Sequence, residues 1–204
     1  GQLLHPGRQM LPPGRFIVAD DRLQWDYLYP TEDLANLPGN RFHNKKNLVS
    51  QFKKNYNYTY DRFCSACVDG VLSMQEEWIK WREAGPESTL HHENRAIYLT
   101  LTNWNRLPNM IGAAIRVEGK IIAYTVGEYI RDDTLIVHFE KGMPGYKGVY
   151  QAINNFFAQD IARDPKIKYI NREQDMGALG IRQAKESYYP VDYIKTYDVE
   201  ILPA

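Results

Sequence analysis

The stretch KYINREQDMGALGIRQAKESYYP, residues 168–190, concentrates the charged and polar groups of the chain. The residues around 166–170 alternate β-branched and aromatic side chains with lysines, which is typical of a short strand. After a polar run comes a predicted helix, on which Arg182 and Lys185 are three residues apart and share a face. The stretch therefore predicts a strand, a polar loop and a helix.

Five polar residues follow the predicted strand without interruption, namely Asn171, Arg172, Glu173, Gln174 and Asp175. In an extended chain successive side chains point to opposite faces, so Asn171, Glu173 and Asp175 are expected on one side. A solvated loop beside a salt-bridged helix is one explanation of such a cluster. The other is a functional site, which convergence with further polar segments would favour.

The composition is that of a folded globular protein. The 204 residues are 44% hydrophobic, and Lys plus Arg equals Asp plus Glu at 25 each. The longest uncharged apolar runs fall far short of the roughly 20 residues that cross a bilayer, and no secretory segment opens the chain. We therefore expect a cytoplasmic domain without a membrane-spanning segment, on which any surface for a polyanion is local.

Residues with metal-ligating side chains do not form a recognisable set in the sequence. Cys64 and Cys67 make a C-x-x-C, but no second pair or histidine follows at the spacing of a zinc site. His91, His92 and Glu93 are adjacent in sequence, a spacing that does not direct three ligands to one ion. We expect no metal and no cofactor, and we interpret Cys67 as part of an apolar helical stripe.

A basic amphipathic helix is predicted after the Pro/Gly-rich start of the chain. Its apolar residues recur at helical spacing from Leu48 to Tyr56, and its cationic residues are Arg41, His43, Lys45, Lys46, Lys53 and Lys54. A solvated lysine face is one interpretation. The other is a patch for the phosphates of a nucleic acid or a lipid headgroup, formed by Arg41, Lys45, Lys46 and Lys53.

The remaining periodicity predicts the order of strands and helices. Strands are predicted where apolar and polar residues alternate, over 16–19, 23–29, 56–63, 110–117, 120–130, 134–140, 166–170 and 191–201. The first two are expected to form a hairpin, and the fourth to sixth an antiparallel meander. Helices are predicted from inward-facing stripes at Cys67, Val71, Met74, Trp78 and Trp81, at Ile97, Leu101 and Trp104, and at Ile153, Phe156, Phe157 and Ile161. Gly85-Pro86 is expected to end the first helix.

This order of elements resembles the GNAT-like acyl-CoA N-acyltransferase fold, an α+β (α/β sandwich) class with a mixed central sheet flanked by helices. Five segments sharpen the resemblance: DYLYPTEDLANLPGNRFHNKKN at 26–47, AAIRVEGKIIAYTVGE at 113–128, DDTLIVHFEK at 132–141, GVYQAIN at 148–154 and YINREQDMGALGIRQAKESYYPV at 169–191. Through them the chain closely resembles the phosphatidylglycerol lysyltransferase C-terminal domain family, long classed as a domain of unknown function.

The resemblance also bears on domain organisation. Members of that family usually carry a second GNAT-like half upstream. We therefore expect residues 1–40 to be an N-terminal arm, the end of such a half, and residues 41–204 to be the GNAT-like domain. The upstream half would be a partner within the same protein.

A GNAT-like sheet would place strands 134–140 and 166–170 side by side and parallel, diverging into a cleft at their C-terminal ends. His138 and Glu140 are two residues apart on the first strand and are expected on one face of it. Polar side chains from the next helix and from the polar run would join them, namely Tyr150, Gln151, Asn154, Asn171, Glu173 and Asp175. This convergence favours a functional site.

The loop before residue 149 constrains the acyl donor. An acetyl-CoA enzyme of this fold normally holds pyrophosphate there, using Arg or Gln, then Gly three residues later, then a small residue two further on. Aligning Gly148 with that glycine puts Gly145 at the basic position and Tyr150 at the small one. The first lacks a phosphate partner, and the second puts a phenol where the backbone must approach the ligand, so CoA is not the expected donor.

The family resemblance implies transfer from aminoacyl-tRNA to a lipid, peptide or small amine or hydroxyl acceptor. The ester is already activated, so the protein chiefly aligns it with the attacking group. We expect Glu140, Glu173 or Asp175 to hold the donor's α-amino group or to act as base, and we count His138 among the catalytic residues. Substrate contacts are expected from Tyr150, Gln151, Asn154, Asn171, Arg172, Arg182 and Lys185, the Arg and Lys side chains through phosphate. An acyl-CoA-dependent N-acyltransferase and a non-catalytic GNAT-like binding module stay open as alternatives.

The sequence also predicts how two carboxylates respond to substitution. Glu173→Gln and Asp175→Asn keep the shape of the side chain and remove its charge. If both groups do chemistry, each change abolishes transfer while stability stays within about 0.5 kcal/mol of the wild type, as for surface changes.

Overall fold

The computed structural model describes residues 16–82 and 89–201. Its strands are β1 (Phe16–Asp20), β2 (Asp26–Pro30), β3 (Tyr58–Arg62), β4 (Met110–Val117), β5 (Lys120–Arg131), β6 (Thr134–Gly142), β7 (Tyr169–Asn171), β8 (Asp192–Ile194) and β9 (Tyr197–Ile201). Its helices are α1 (Thr31–Asn36), α2 (His43–Asn55), α3 (Val68–Arg82), α4 (Thr89–Thr102), α5 (Val149–Ile161) and α6 (Leu179–Glu186). None of the helices within these ranges is long and apolar enough to cross a membrane.

Within the described ranges the central sheet has seven strands, in the order β3-β4-β5-β6-β7-β2-β8. Its neighbours are antiparallel except β6 and β7, which are parallel as predicted. That parallel pairing is short, since residues 134–136 pair with residues 169–171 while β6 continues to Gly142. The mixed sheet is therefore open between the second half of β6 and the segment after β7.

Helices cover both faces of this sheet. One hydrophobic cluster joins α1, α2 and α5 to it, with Leu34, Phe52, Ile153 and Phe157 among its members. A second cluster joins α3 and α4 to the other face through Val71, Met74, Trp78, Ile97 and Leu101. Neighbouring residues of β5 belong to different clusters because side chains alternate along a strand. A mixed sheet flanked by helices confirms the predicted α+β class.

The first and last strands differ from the prediction. β1 pairs with β9 in a separate two-stranded antiparallel sheet, and β2 pairs with β7 and β8. Between β1 and β2 the chain forms the 3-10 turn Arg22–Gln24, capped by the Asp21 carboxylate, which accepts from the Leu23 N–H at 3.0 Å. The predicted hairpin is therefore wrong, and the predicted final strand is two strands in different sheets.

The segment before residue 40 contributes to the central sheet. β2 lies between β7 and β8, and Leu34 of α1 is in the same cluster as α5. The division of the chain between residues 40 and 41 stays a prediction. Residues 1–15, which hold the Pro/Gly-rich start, and Gly85-Pro86 lie outside the described residues.

The inward stripe of α3 is shorter than predicted. Val71, Met74 and Trp78 are buried, but Trp81 is 51% exposed. Cys67 lies before α3, in the 3-10 turn Ser65–Cys67, and is half-buried. The helix turns its last residues toward solvent, so the core contribution of this stripe ends at Trp78.

Trp78→Ala is expected to lower the free energy of unfolding by about 3–5 kcal/mol, because truncating a buried aromatic ring leaves a cavity. Trp81→Ala, one turn further along α3, is the matched control and should stay within about 0.5 kcal/mol of the wild type. Urea denaturation measures both. A loss of less than about 0.5 kcal/mol for Trp78→Ala would show that Trp78 does not belong to the core.

Candidate functional site

Two side-chain pairs span the gap between β6 and the segment that follows β7. In one, His138 Nδ1 lies 2.8 Å from Glu173 Oε1. In the other, Arg172 Nη2 donates to Glu140 Oε1 at 3.0 Å. The structure thus brings together four of the residues expected at the site.

A β-bulge separates these two pairs. The register between β5 and β6 shifts here and leaves His138 as an extra residue of β6. Glu140 faces α5, where its Oε2 accepts from Asn154 Nδ2 at 3.3 Å, whereas His138 Nε2 lies 3.1 Å from Glu128 of β5. The expectation that His138 and Glu140 share a face assumed regular alternation, and the bulge makes it wrong.

His138 lies between two carboxylates, Glu128 and Glu173, and we call these three residues the carboxylate–histidine group. An imidazolium donates from both ring nitrogens, whereas a neutral imidazole donates from one, so two carboxylate neighbours favour the protonated form. The hydrogen bond to Glu173, aided by that to Glu128, raises the pKa of His138 above 6.5 despite partial burial. The three side chains are 38%, 26% and 33% exposed in chain order, so a ligand can reach them.

A cavity of about 310 Å³ adjoins this group on the α4 side of the sheet. Its walls are largely apolar, and its lining residues are Thr100, Leu107, Pro108, Asn109, Met110, Glu128, His138 and Phe139. Cavities of this size accept small molecules, and a few polar groups in an apolar wall fix their orientation. An amine or hydroxyl in this cavity would meet the imidazole and the Glu128 carboxylate.

The polar run after β7 turns instead of continuing as a strand. Glu173 has a φ of 55°, in the left-handed region that non-glycine residues rarely adopt. The Asn171 side chain stabilises the turn by accepting from the Glu173 N–H at 2.7 Å, and its amide donates to Asp26 at 2.8 Å. Asn171, Glu173 and Asp175 therefore do not share one side of a strand, contrary to the sequence prediction.

Lys185 holds the same turn from α6. Its ammonium donates to three successive carbonyl groups, those of Arg172, Glu173 and Gln174, the last two at 3.0 and 2.7 Å. Burial, together with repulsion from Arg172, lowers the pKa of Lys185 to about 8. Lys185 thus positions Glu173 toward His138, and its charge is directed at the backbone and not at a phosphate in solvent.

Asp175 is enclosed by protein groups, with an exposed fraction of 0%. Its carboxylate accepts from Arg182 at 2.8 and 3.0 Å, from the Tyr27 hydroxyl at 2.5 Å and from the Gly177 N–H at 2.8 Å. The Arg182 hydrogen bonds are the main reason that the pKa of Asp175 lies well below its usual range. A buried, paired carboxylate does not fit the expected role of base, and Arg182 does not fit that of a phosphate ligand.

Arg172 and Glu140 form the pair on the α5 side, with side chains 14% and 11% exposed. The guanidinium lies 5.0 Å from the Tyr188 ring and 5.8 Å from the Tyr29 ring. Among the described residues, Arg172 Nη1 and Asn154 Oδ1 are buried without a hydrogen-bond partner. One donor and one acceptor are therefore available there to a ligand or to water.

The start of α5 contacts α2 at Gly148. Gly148 has a φ of 82°, and a Cβ at this position would lie 2.3 Å from the carbonyl oxygen of Leu48. Tyr150 is 40% exposed and its hydroxyl accepts from Trp78 Nε1 at 3.3 Å, while Gln151 beside it is half-buried. The loop that would hold a pyrophosphate therefore packs against the backbone of α2.

The predicted phosphate patch lies on α2 and the turn before it, with unequal exposure. Arg41 donates to an acidic side chain of α1 at 2.7 Å. Lys45 Nζ lies 4.2 Å from the Tyr188 ring, and burial lowers the pKa of Lys45. Lys46 and Lys53 are exposed. Lys46 presents its charge most directly to a polyanion, since the Lys53 ammonium lies 5.0 Å from the Phe156 ring.

Sequence reasoning missed Glu128, the third member of the carboxylate–histidine group. The signal was a carboxylate at the end of a long apolar strand, in the segment IIAYTVGE at 121–128. A charge in that position is unusual in a buried strand and points to a specific partner. Over the described ranges, no group of His, Cys, Asp and Glu is placed to hold a metal ion.

Comparison with known proteins identifies the relatives of this chain. Residues 8–200 match the family model described as phosphatidylglycerol lysyltransferase, C-terminal. A solved structure of a conserved protein of unknown function from Bacteroides thetaiotaomicron is 36% identical, with a TM-score of 0.87 over 94% of this chain and 64% of that chain. The C-terminal domain of a putative lysylphosphatidylglycerol synthetase from Agrobacterium fabrum is 12% identical, with a TM-score of 0.67 over 93% of this chain and 62% of that one. A search of curated proteins finds no match.

Acetyltransferase structures share the fold as well. A possible acetyltransferase from Clostridium difficile is 15% identical, with a TM-score of 0.52 over 72% of this chain and 99% of that chain. The GNAT-like fold predicted from the order of elements is therefore confirmed. The chain spans less than two thirds of the length of the Bacteroides and Agrobacterium structures.

Proposed function

The chain belongs to the phosphatidylglycerol lysyltransferase C-terminal family, and on this premise we propose that it is an aminoacyltransferase domain. It moves an aminoacyl group from aminoacyl-tRNA to a lipid, a peptide or a small amine or hydroxyl acceptor. The observation that carries the proposal is the carboxylate–histidine group at the wall of a cavity sized for a small ligand. We place the reaction in the cytoplasm, where charged tRNA is available.

The proposed reaction is a direct transfer. The nitrogen or oxygen of the acceptor attacks the ester carbonyl, a new bond forms to that carbon, and the bond to the ribose oxygen breaks. His138 in its neutral form takes the proton from the attacking group and returns one to the ribose oxygen. The ester is already activated, so alignment of the two substrates supplies much of the acceleration and no covalent enzyme intermediate is needed.

The two carboxylates have different parts in this proposal. Glu173 bonds Nδ1 of His138 at 2.8 Å and holds the ring in one orientation. Glu128 contacts Nε2 at a longer 3.1 Å and lines the cavity, so an incoming substrate can replace it on that nitrogen. Once displaced, the Glu128 carboxylate can pair with the ammonium group of the aminoacyl donor.

Polar groups on the α5 side stay in the proposed site as substrate contacts. Asn154 Oδ1 and Arg172 Nη1 are buried polar atoms that lack a partner among the described residues. Leaving such atoms unpaired costs stability, so a substrate group that forms hydrogen bonds with them would bind more tightly. Glu140 holds both side chains, since it accepts from each of them.

The start of α5 argues against acyl-CoA as the donor, because the positions that would hold pyrophosphate carry Gly145 and Tyr150. Pyrophosphate binding at a helix N-terminus needs open backbone N–H groups. Here Leu48 of α2 lies so close to Gly148 that even a methyl group would not fit between them. These residues support the aminoacyl proposal over the acyl-CoA alternative.

The exposed lysines of α2 are proposed to contact tRNA phosphates. Replacing Lys46 and Lys53 by Gln should reduce the slope of log affinity against log salt by roughly 0.7–0.9 for each phosphate that is no longer neutralised. Lys80→Gln, an exposed lysine on α3, is the matched control and should leave the slope unchanged. The slope is measured from the affinity for charged tRNA at salt concentrations from low to physiological. An unchanged slope in the double variant would remove tRNA binding from this helix.

The proposed function is tested with a radiolabelled mixture of aminoacyl-tRNAs and separated lipid, peptide and small-amine acceptor fractions. We expect protein-dependent label in one acceptor fraction. Acetyl-CoA at millimolar concentration is the matched control ligand and should not raise the melting temperature. A rise in melting temperature with acetyl-CoA, together with no transferred label, would favour the acyl-CoA alternative and overturn the proposal.

A further inference from the structure

The chain has two cysteines, Cys64 and Cys67, and the structure brings their sulfur atoms within 3.4 Å of each other. They lie at the two ends of a tight turn between β3 and α3, where the Cys67 N–H donates to the Cys64 carbonyl at 2.9 Å. Cys64 is exposed and Cys67 is half-buried. Cys67 therefore faces a second thiol at the surface. The sequence predicted that Cys67 belongs to the apolar stripe of α3, and the structure shows that it does not.

Arg116 of β4 favours a reactive form of this thiol pair. Burial opposes ionisation of Cys67, but hydrogen bonds involving Cys64 and the charge and hydrogen bond of the Arg116 guanidinium outweigh it and lower the pKa of the thiol. The thiolate is the nucleophilic form of cysteine, and a neighbouring cation together with partial exposure marks reactive cysteines. The short distance between the two sulfur atoms and the charge of Arg116 thus both favour thiol–disulfide exchange at this pair.

We propose that Cys64 and Cys67 form a redox-active dithiol that exchanges with low-molecular-weight disulfides and closes reversibly to an intramolecular disulfide. Two residues separate the cysteines, so the bond closes within one turn. The site is independent of aminoacyl transfer, since it shares no residue with the carboxylate–histidine group or its cavity.

The exchange has two steps. The Cys67 thiolate attacks one sulfur of the small disulfide, forming a mixed disulfide while the small disulfide's S–S bond breaks and releases one small thiolate. Cys64 then loses its proton to solvent and attacks the Cys67 sulfur, expelling the second small thiolate. Two cysteine thiols are oxidised and one disulfide is reduced to two thiols, so the electrons balance.

The test uses the reduced protein, glutathione disulfide as oxidant, an acid quench and intact-mass spectrometry. We expect the wild type to lose the mass of two hydrogens and to carry no glutathione, because Cys64 resolves the mixed disulfide. Cys64→Ser should retain one glutathione on Cys67, and Cys67→Ser should react more slowly. Melting curves establish that each variant is folded, and dithiothreitol should restore the two thiols of the wild type.

Two results would overturn the proposal. One is wild-type protein that carries glutathione on both cysteines, since the thiols would then not resolve each other. The other is folded wild-type protein that keeps both thiols free at a glutathione disulfide concentration that oxidises the urea-denatured chain. Arg116→Gln in the Cys64→Ser background should slow alkylation of Cys67 at neutral pH several-fold, and an unchanged rate would overturn the part assigned to Arg116.

Discussion

Asparagine in place of Asp175 should lower the free energy of unfolding by about 1.5–3 kcal/mol, the usual contribution of hydrogen bonds to a charged group. The side chain is fully buried, and the substitution leaves Arg182 beside a neutral group that no longer matches its charge. Glu186→Gln is the matched control, because Glu186 is a half-exposed carboxylate that lies 3.8 Å from Arg22. That control should stay within about 0.5 kcal/mol of the wild type in urea denaturation.

The effect of Asp175 should also depend on pH in one direction. Its pKa is lower in the folded protein than the ordinary value of 3.8, so its charge stabilises the fold above that value. The stabilisation is lost as pH falls below it toward the folded pKa. The difference between wild type and Asp175→Asn should therefore be full at neutral pH and shrink in strong acid. A variant as stable as the Glu186→Gln control would contradict the buried ion pair.

His138→Gln should lower the rate of aminoacyl transfer by about 10²–10⁴-fold, the typical contribution of a general base. Glutamine can keep one hydrogen bond to Glu173 but cannot take up and release a proton in this pH range. His92→Gln, an exposed histidine of α4, is the matched control and should retain full activity. Single-turnover transfer measures both variants, and melting curves check their folding. Full activity in His138→Gln would exclude this residue as the base.

Much of the fold follows from local periodicity. The alternation in β4, β5 and β6 and the apolar stripe of α5 predict their elements because each pattern is complete within one segment. Pairing between distant segments is not contained in such patterns. The hairpin failed for this reason, since β1 pairs with the far end of the chain and the Asp21 cap turns it away from β2.

In the site, too, the sequence predicts local features but not contacts between distant residues. The polar run and the residues of β6 could be singled out because polar groups there are incompatible with a core. The hydrogen-bond partners of these residues could not be predicted, because they are distant in sequence. Asp175, for example, accepts a hydrogen bond from the Tyr27 hydroxyl, 148 residues earlier in the chain. The sequence expectation that Asp175→Asn leaves stability unchanged is therefore replaced by a large loss. The bulge at His138 and the left-handed turn at Glu173 are likewise set by tertiary contacts.

Because Glu173 orients His138 and does not itself react, Glu173→Gln should still transfer, contrary to the expectation from the sequence. The role of His138 is tested most directly by the pH dependence of aminoacyl transfer in wild type and Glu173→Gln, with the ring titrated by NMR in both. Hydrogen bonding to Glu173 is the largest cause of the raised pKa, so removing its charge should lower the pKa of His138. We predict that the wild-type rate rises with pH through a pKa above 6.5, as neutral His138 forms. The rise should move to lower pH in Glu173→Gln by the same amount as the NMR titration. A rate profile that stays in place while the His138 titration moves would contradict a catalytic role for this histidine.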